Sequence, residues 1–474
     1  MASLFPPRPS PDDDNTTASF FAHSSAQRVN TDAVISWALK AQYPHLSLVI
    51  APSNYNVDLL AFASAGHASY TAIEGPPSSA LPASVIWKGY IPPSRRIDGS
   101  PGALVSGVEF AKFLYKWQGT EFLLYVVSGR DGTEPYPQVR NNYILTTDTH
   151  KADALIVEAG RWGTELHDEI WVWDRGYWQK SAELFDSVRG ARWEDVILDE
   201  DMKKALREDH RSFFDSRDTY KRLKVPWKRG VIYYGPPGNG KTISIKAMMR
   251  ELWSRDDDPV PTLYVRSFFS YSGPEAAISQ IFGKARELAP CYLVIEDLDS
   301  LVSDGVRSYF LNEVDGLKGN DGIFMIGSTN HLDRLDPGIS KRPSRFDRKY
   351  LFPDPDRDQR IAYCQFWQKK LADNKKIEFP DKLCGAIADI TNKFSFAYMQ
   401  EAFVAALLAI ARGDTGGESS ILGNEEVDGW VSVSEDDGDS DDDDDSLKDL
   451  LLWEEIQRQV AILREGMDNE DRGD

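Results

Sequence analysis

Residues 235–242, Gly-Pro-Pro-Gly-Asn-Gly-Lys-Thr, constrain this chain more than any other segment. They satisfy the pattern G-x-x-x-x-G-K-[ST]. They follow a strand-like apolar run, Val231–Tyr234, and precede a helix-like run, ISIKAMMREL. A loop rich in glycine between strand and helix can wrap its backbone N–H groups around an anion, and the helix N-terminus adds its positive dipole end. Gly235, Pro236, Pro237, Gly238, Asn239, Gly240, Lys241 and Thr242 are therefore expected to form a nucleotide-phosphate cradle. Backbone N–H groups of Gly238 and Gly240 would face the phosphates, Lys241 would hold the β- and γ-phosphates, and Thr242 would bind Mg²⁺. The alternative, a glycine-rich turn that happens to precede a lysine, is disfavoured by both flanks.

Further strand-like runs follow: Thr262–Ser267, Tyr292–Glu296 and Gly322–Thr329. Apolar strands alternating with helical segments predict a parallel sheet covered on both faces. The second of these ends at Glu296, with Asp297 next in the chain. An acid at the C-terminal end of a strand beside a phosphate loop would approach the metal, and the next would polarise a water. Away from such a loop, two acids capping a helix would be the simpler reading. Ser328-Thr329-Asn330 closes the run before it turns. There Asn330 could orient the attacking water or merely form the turn. Arg342 and Arg345 stand three residues apart in SKRPSRFDR. Guanidinium groups can neutralise charge on a transferring phosphoryl group.

The order GPPGNGKT, FGKARELAPCYLVIEDLDSL, FLNEVDGL and GSTNHLDRLDPGISKRPSRFDR resembles the AAA family of ATPases over about residues 193–412. The resemblance implies ATP and Mg²⁺ as cofactors, with Thr242 and Glu296 at the metal and Asp297 and Asn330 at the water. It also implies Arg342 and Arg345 reaching a neighbouring subunit's nucleotide in a homo-oligomeric ring, usually a hexamer, that remodels proteins. The client is not named by the sequence. A narrower resemblance, to AAA chaperones of the mitochondrial cytochrome bc-complex assembly type, rests on the Glu296-Asp297 order, on RWEDVILDEDMKKALREDHRSFF before VPWKRGVIYYGPPG, and on RGYW at 175–178. That type carries an N-terminal transmembrane helix, and this sequence shows none. Most AAA members place Asp before Glu where this chain has Glu before Asp. The inversion keeps a second reading open, a nucleotide-binding scaffold or switch with little hydrolysis. Tyr271-Ser272-Gly273 stands near the family's aromatic pore loop, with a packed tyrosine in an ordinary loop as the alternative. Phe394 and Phe396 replace the glycine-rich lid of many members, and no second sensor residue is assigned.

The expected fold class is α/β: a P-loop parallel sheet with a helical lid, preceded by an α+β N-terminal domain. The expected organisation is a disordered N-terminus (1–27), the N-terminal domain (28–188), the ATPase module (189–353), the lid (354–412), a disordered acidic linker (413–446), an amphipathic helix (447–465) and a disordered end (466–474). In the N-terminal domain Thr31 is expected to cap a helix, and strands at Phe122–Gly129, Asn142–Thr147 and Glu169–Asp174 are expected, the last two joined by a helix opening at Asp148. A capping box at 446–449 and a stripe of Leu450, Trp453, Ile456, Val460 and Leu463 define the last helix.

Charge sharpens this division. The net charge is −21, yet residues 413–474 alone hold 22 acidic and 4 basic residues, so the remaining body is close to neutral. A near-neutral body argues against a nucleic-acid motor. Serines of the tail such as Ser432, Ser434 and Ser440 are candidate phosphorylation sites, and the acid run a candidate ligand for a basic partner. Three scattered cysteines exclude a disulfide scaffold and fit buried thiols. No apolar run is long enough to span a bilayer and no targeting signal is evident. A cytoplasmic or nuclear location is expected, with mitochondrial association implied by the resemblance alone.

Overall fold

The computed structural model describes residues 30–53, 56–73, 84–93, 97, 101–130, 138–315, 318–342, 345–374, 376–413, 447 and 450–470. The expected disordered segment 1–27 lies outside them, as do the acidic linker 413–446 apart from Gly413 and the capping box apart from Leu447; of the end expected to be disordered, 466–474, residues 466–470 are described and are helical. The chain divides into two compact units, Met1–Glu165 and Leu166–Asp474.

The first unit opens with helix α1 (Thr31–Gln42). Its N-cap is Asn30, whose side chain accepts from the Ala33 amide, so the cap sits one residue before the expected Thr31. Strand β1 (Ser47–Pro52), helix α2 (Leu59–Ser64), strands β2 (Ser69–Ala72), β3 (Val85–Ile91), β4 (Ala103–Trp117), β5 (Thr120–Arg130) and β6 (Gln138–Thr146), and helix α3 (Thr149–Thr164) follow. The strands form an antiparallel sheet in the order β1-β6-β5-β4-β2, with β3 also paired to the long β4. Asp148 caps α3 by accepting from the His150 amide. The buried stripe Ala152, Leu155 and Ala159 of α3 joins Phe113, Tyr115, Phe122 and Leu124 in one core.

The second unit begins with strands β7 (Ile170–Asp174) and β8 (Tyr177–Ser181). The strand read as Glu169–Asp174 was expected to complete a strand–helix–strand unit of the N-terminal domain. It instead pairs in parallel with a strand of the second sheet, at Leu263↔Trp171. Its pattern explains why: Ile170 packs into the core on one face of that sheet and Trp173 into the core on the other. A strand buried on both faces suits a sheet covered by helices on both sides. The boundary between the units therefore falls at 165 rather than 188.

Helices α4 (Ala182–Arg189), α5 (Glu200–Asp215) and α6 (Arg217–Leu223) lead to β9 (Arg229–Tyr234), α7 (Lys241–Trp253), β10 (Thr262–Val265), α8 (Pro274–Glu287), β11 (Cys291–Ile295), α9 (Leu298–Leu301), α10 (Asp304–Asp315), β12 (Ile323–Thr329), α11 (Pro337–Ser340) and β13 (Arg348–Leu351). The sheet order is β13-β9-β12-β11-β10-β7-β8, parallel throughout except for β8 at the edge. The strand after the phosphate loop thus lies away from it, and β12 separates β9 from β11. Helices α12 (Arg357–Leu371), α13 (Asp381–Ile390) and α14 (Phe396–Gly413) form the lid, and α15 (Leu451–Glu470) packs into the same core. The expected amphipathic helix at 447–465 is thus α15, running from 451 to 470. The three cysteines are free and buried. Burial raises all three thiols, Cys384 to about 11, so they are inert core groups. No helix among the described residues is long and apolar enough to cross a membrane.

Candidate functional site

The β9–α7 turn carries the phosphate loop. Gly240 is the N-cap of α7 at φ +90°, and no side chain caps the first turn. The first amides of α7 therefore have no side-chain partner and suit an anion. At Gly238, φ is +80° and an added Cβ would lie 2.5 Å from the Ala397 Cβ of the lid. Only glycine lets the loop approach the lid this closely.

Lys241 is buried, and its Nζ donates to the Gly235 carbonyl (2.7 Å) and the Pro236 carbonyl (2.8 Å). Burial lowers its pKa, while the charges of Asp297, Asp299 and Glu296 oppose that shift. Asn239 is buried and turned away from the cleft, its Nδ2 donating to Asp354 Oδ1 at 2.8 Å. It braces the loop against the start of the lid rather than facing the phosphate site.

Alternation along β10 and β11 places Tyr264, Tyr292 and Val294 on the face that α7 covers. Glu296 continues that parity past the end of β11. Its two carboxylate oxygens are held separately: Thr242 Oγ1 donates to Oε1 at 2.6 Å and the Tyr264 phenol donates to Oε2 at 2.7 Å. Burial and the neighbouring Glu296 raise the Tyr264 pKa, so the phenol remains a donor.

Asp297 stands in the left-handed region at φ +52°. That conformation is strained for a residue with a Cβ. The turn is pinned from β12: Ser328 Oγ accepts from the Asp297 amide (3.3 Å), and Thr329 Oγ1 donates to Asp299 Oδ1 (2.7 Å). The next residue, Asn330, is exposed and borders the cleft.

Lys241, Thr242, Asp297, Ser328 and Asn330 line one wall of a cleft of about 550 Å³, and Glu296 is tied to that wall through its hydrogen bond with Thr242. Lys241, Thr242, Asp297 and Asn330 supply its polar end. Val196 and Ile197 on one side, and Tyr363, Phe366 and Phe396 from the lid on the other, supply its apolar end. The volume and the split between apolar slot and polar cradle fit a purine nucleoside triphosphate. The donor set also fits Mg²⁺. Among the described residues no group of three His, Cys, Asp or Glu gathers as a cation cage. A hydroxyl and one carboxylate side by side suit an ion that keeps waters and takes its other ligands from phosphate.

Arg342 is exposed and Arg345 is not. The Arg345 side chain is 10% exposed, lies 3.7 Å from Asp315 and donates from Nη1 to the Gly338 carbonyl at 2.6 Å. Neither arginine borders the cleft of its own chain. The segment carrying them is clamped to β9: the Asp347 amide donates to the Gly230 carbonyl at 3.0 Å, and an added Cβ at Gly230 would meet the Arg345 carbonyl at 2.0 Å. Tyr271 is 88% exposed, which excludes the packed alternative, and its ring touches that of the half-exposed Phe269.

Tyr264, Asp299 and the aromatic wall of the lid emerge only from the structure as parts of the site, and so does the part Ser328 and Thr329 play in pinning the Asp297 turn. Phe396 was visible as an unusual lid residue, but its place at the cleft was not.

A parallel sheet with this phosphate loop, an acid pair at the end of β11, one strand removed from β9, and a helical lid over the cleft defines a P-loop nucleotide-binding module. Residues 231–354 match the family described as ATPase family associated with various cellular activities (AAA), and the chain contains an AAA ATPase domain.

Proposed function

We propose that this protein is a Mg²⁺-dependent ATPase that works as a homo-oligomeric ring, of hexameric type, and remodels a protein client. The observation that carries the proposal is the convergence of Lys241, Thr242, Asp297 and Asn330 at the polar end of one cleft, with Glu296 hydrogen-bonded to Thr242 and an apolar slot for the base.

The residues divide the work. Amides at the start of α7 and the Lys241 ammonium hold the phosphates. Thr242 and Glu296 hold the ion, which when bound neutralises charge on the β- and γ-phosphates. Asp297 accepts a proton from the attacking water and Asn330 orients it. Arg342, exposed on its own chain, approaches a neighbour's γ-phosphate in a head-to-tail interface. Arg345 anchors that segment through Asp315 and Gly338. Tyr271 and Phe269 offer an exposed aromatic face for gripping a client, and the first unit is the place for client selection. The finer kinship with the bc-complex assembly chaperones belongs to this proposal and rests on the Glu296-Asp297 order.

The test mixes two inactive variants. Lys241→Ala disables a subunit's own site, and Arg342→Ala disables its neighbour's. Each alone should be inactive. Mixed in equal amounts under exchange, about a quarter of head-to-tail interfaces pair an intact lysine with an intact arginine, so turnover should return to about that fraction. Turnover by a monomer, or no recovery on mixing, refutes the arrangement in trans.

The strained Asp297, with its shorter side chain, favours a second reading as a nucleotide-gated scaffold. Tight ATP binding without turnover in assembled protein would establish it.

A further inference from the structure

Glu296 has three rotatable side-chain bonds and stands, partly buried, just past the end of β11. A carboxylate that is to meet a cation must nonetheless hold one geometry, because an ordered ligand loses less freedom on binding. Two hydroxyls supply that order here, one per oxygen: Thr242 Oγ1 on Oε1 at 2.6 Å and the Tyr264 phenol on Oε2 at 2.7 Å. The two differ in what they can do afterwards. Thr242 lines the cleft, whereas Tyr264 comes from β10, between Leu263 and Val265 of the core, and does not border the cleft.

We propose that Tyr264 is a positioning residue for Glu296, holding Oε2 so that Oε1 stays aimed, beside the Thr242 hydroxyl, at the cation site. The inference rests on the ATPase reading above. Tyr264 touches neither nucleotide nor ion. Its part is that of the outer hydrogen-bond partners that orient metal-binding carboxylates, whose loss typically weakens metal affinity by about 10- to 100-fold. The ring of Tyr264 also packs beside Tyr292 and Val294, so Tyr264→Phe keeps the packing and removes only the donor.

The experiment measures binding of a fluorescent ATP analogue to the full chain, without Mg²⁺ and across a Mg²⁺ titration. In Tyr264→Phe the Mg²⁺ concentration for half-maximal enhancement should rise by about tenfold. Affinity without Mg²⁺ and the melting temperature should stay at the parent's values. A role in packing alone would lower the melting temperature and leave the Mg²⁺ midpoint in place. The cycle with Glu296→Asp provides a second readout. The shorter carboxylate withdraws from the phenol, so removing the hydroxyl in that background should cost nothing further. An unchanged Mg²⁺ midpoint in Tyr264→Phe, or fully additive losses in the double variant, would overturn the assignment while leaving the ATPase reading intact. Failure of the parent protein to bind the analogue at all would remove the ATPase reading and this inference together.

Discussion

Lys241→Ala should weaken ATP binding by about 100-fold and leave about 1% of turnover or less. The size of the effect follows from the charges around the ammonium. Asp297, Asp299 and Glu296 all act on Lys241. Alanine removes a buried cation held among these carboxylates, and an incoming polyphosphate would then meet uncompensated negative charge. The change also deprives the Gly235 and Pro236 carbonyls of their donor. Gly235 is buried, and an unmade hydrogen bond at its carbonyl costs about 1–3 kcal/mol, so a fall in melting temperature should accompany the loss of affinity. Lys241→Met restores the apolar stem but neither the charge nor the donors, so it separates loss of packing from loss of the ammonium. Calorimetric titration with ATP and a phosphate-release assay read the outcome. Hydrolysis at parental rates in either variant would remove Lys241 from the mechanism.

The contrast between Lys241 and Tyr264 shows what the sequence could convey. The phosphate loop is contiguous, so the glycines, lysine and threonine that must cooperate stand side by side in the chain, and their flanks declare a strand and a helix. The acid pair is legible for a similar reason: it ends an apolar strand. Tyr264 lies inside an apolar run and resembles any core aromatic until the pairing of β10 with β11 brings it beside Glu296, thirty-two residues away. Long-range pairing also decided the fate of Ile170–Asp174. Read locally, a strand following α3 belongs with the strand preceding it. Its true neighbour, β10, lies some ninety residues further on, and only the burial of both its faces hinted at that.

Arg342 and Arg345 form an intermediate case. Their spacing was legible, but spacing cannot distinguish an exposed guanidinium from one already committed to Asp315 and a carbonyl of its own chain. The tail shows the same limit. The stripe Leu450–Leu463 announced a buried face without naming what it would cover. The lid is the answer: Leu452, Trp453, Ile456 and Val460 enter the same core as Trp367, Leu383, Ile387 and Phe403.

That placement makes Ile456→Asp the second large expected effect. Ile456 is fully buried in the lid core. A carboxylate there must either stay unpaired in an apolar interior or drive the helix off, and both alternatives cost several kcal/mol. A loss of about 3 kcal/mol corresponds to a fall in melting temperature of about 5 °C for a unit of this size. The consequence should extend to the cleft, because α14 presents Met399, Ala402, Phe403 and Ala406 to the core that α15 completes while its first turns carry Phe396, Ala397 and Gln400 to the cleft. Arg464 fastens the far end of α15 by donating to the Ile390 carbonyl at 2.6 Å, at the close of α13. Undocking α15 should loosen the apolar wall more than the phosphate cradle, so KM for ATP should rise severalfold with a smaller change in kcat. Ending the chain after Arg412 should reproduce the Ile456→Asp phenotype, since both remove the same contacts. If both variants melt and turn over like the parent, α15 does not support the lid. If truncation is neutral but Ile456→Asp is not, the fault lies in the aspartate attracting new contacts rather than in the loss of the helix.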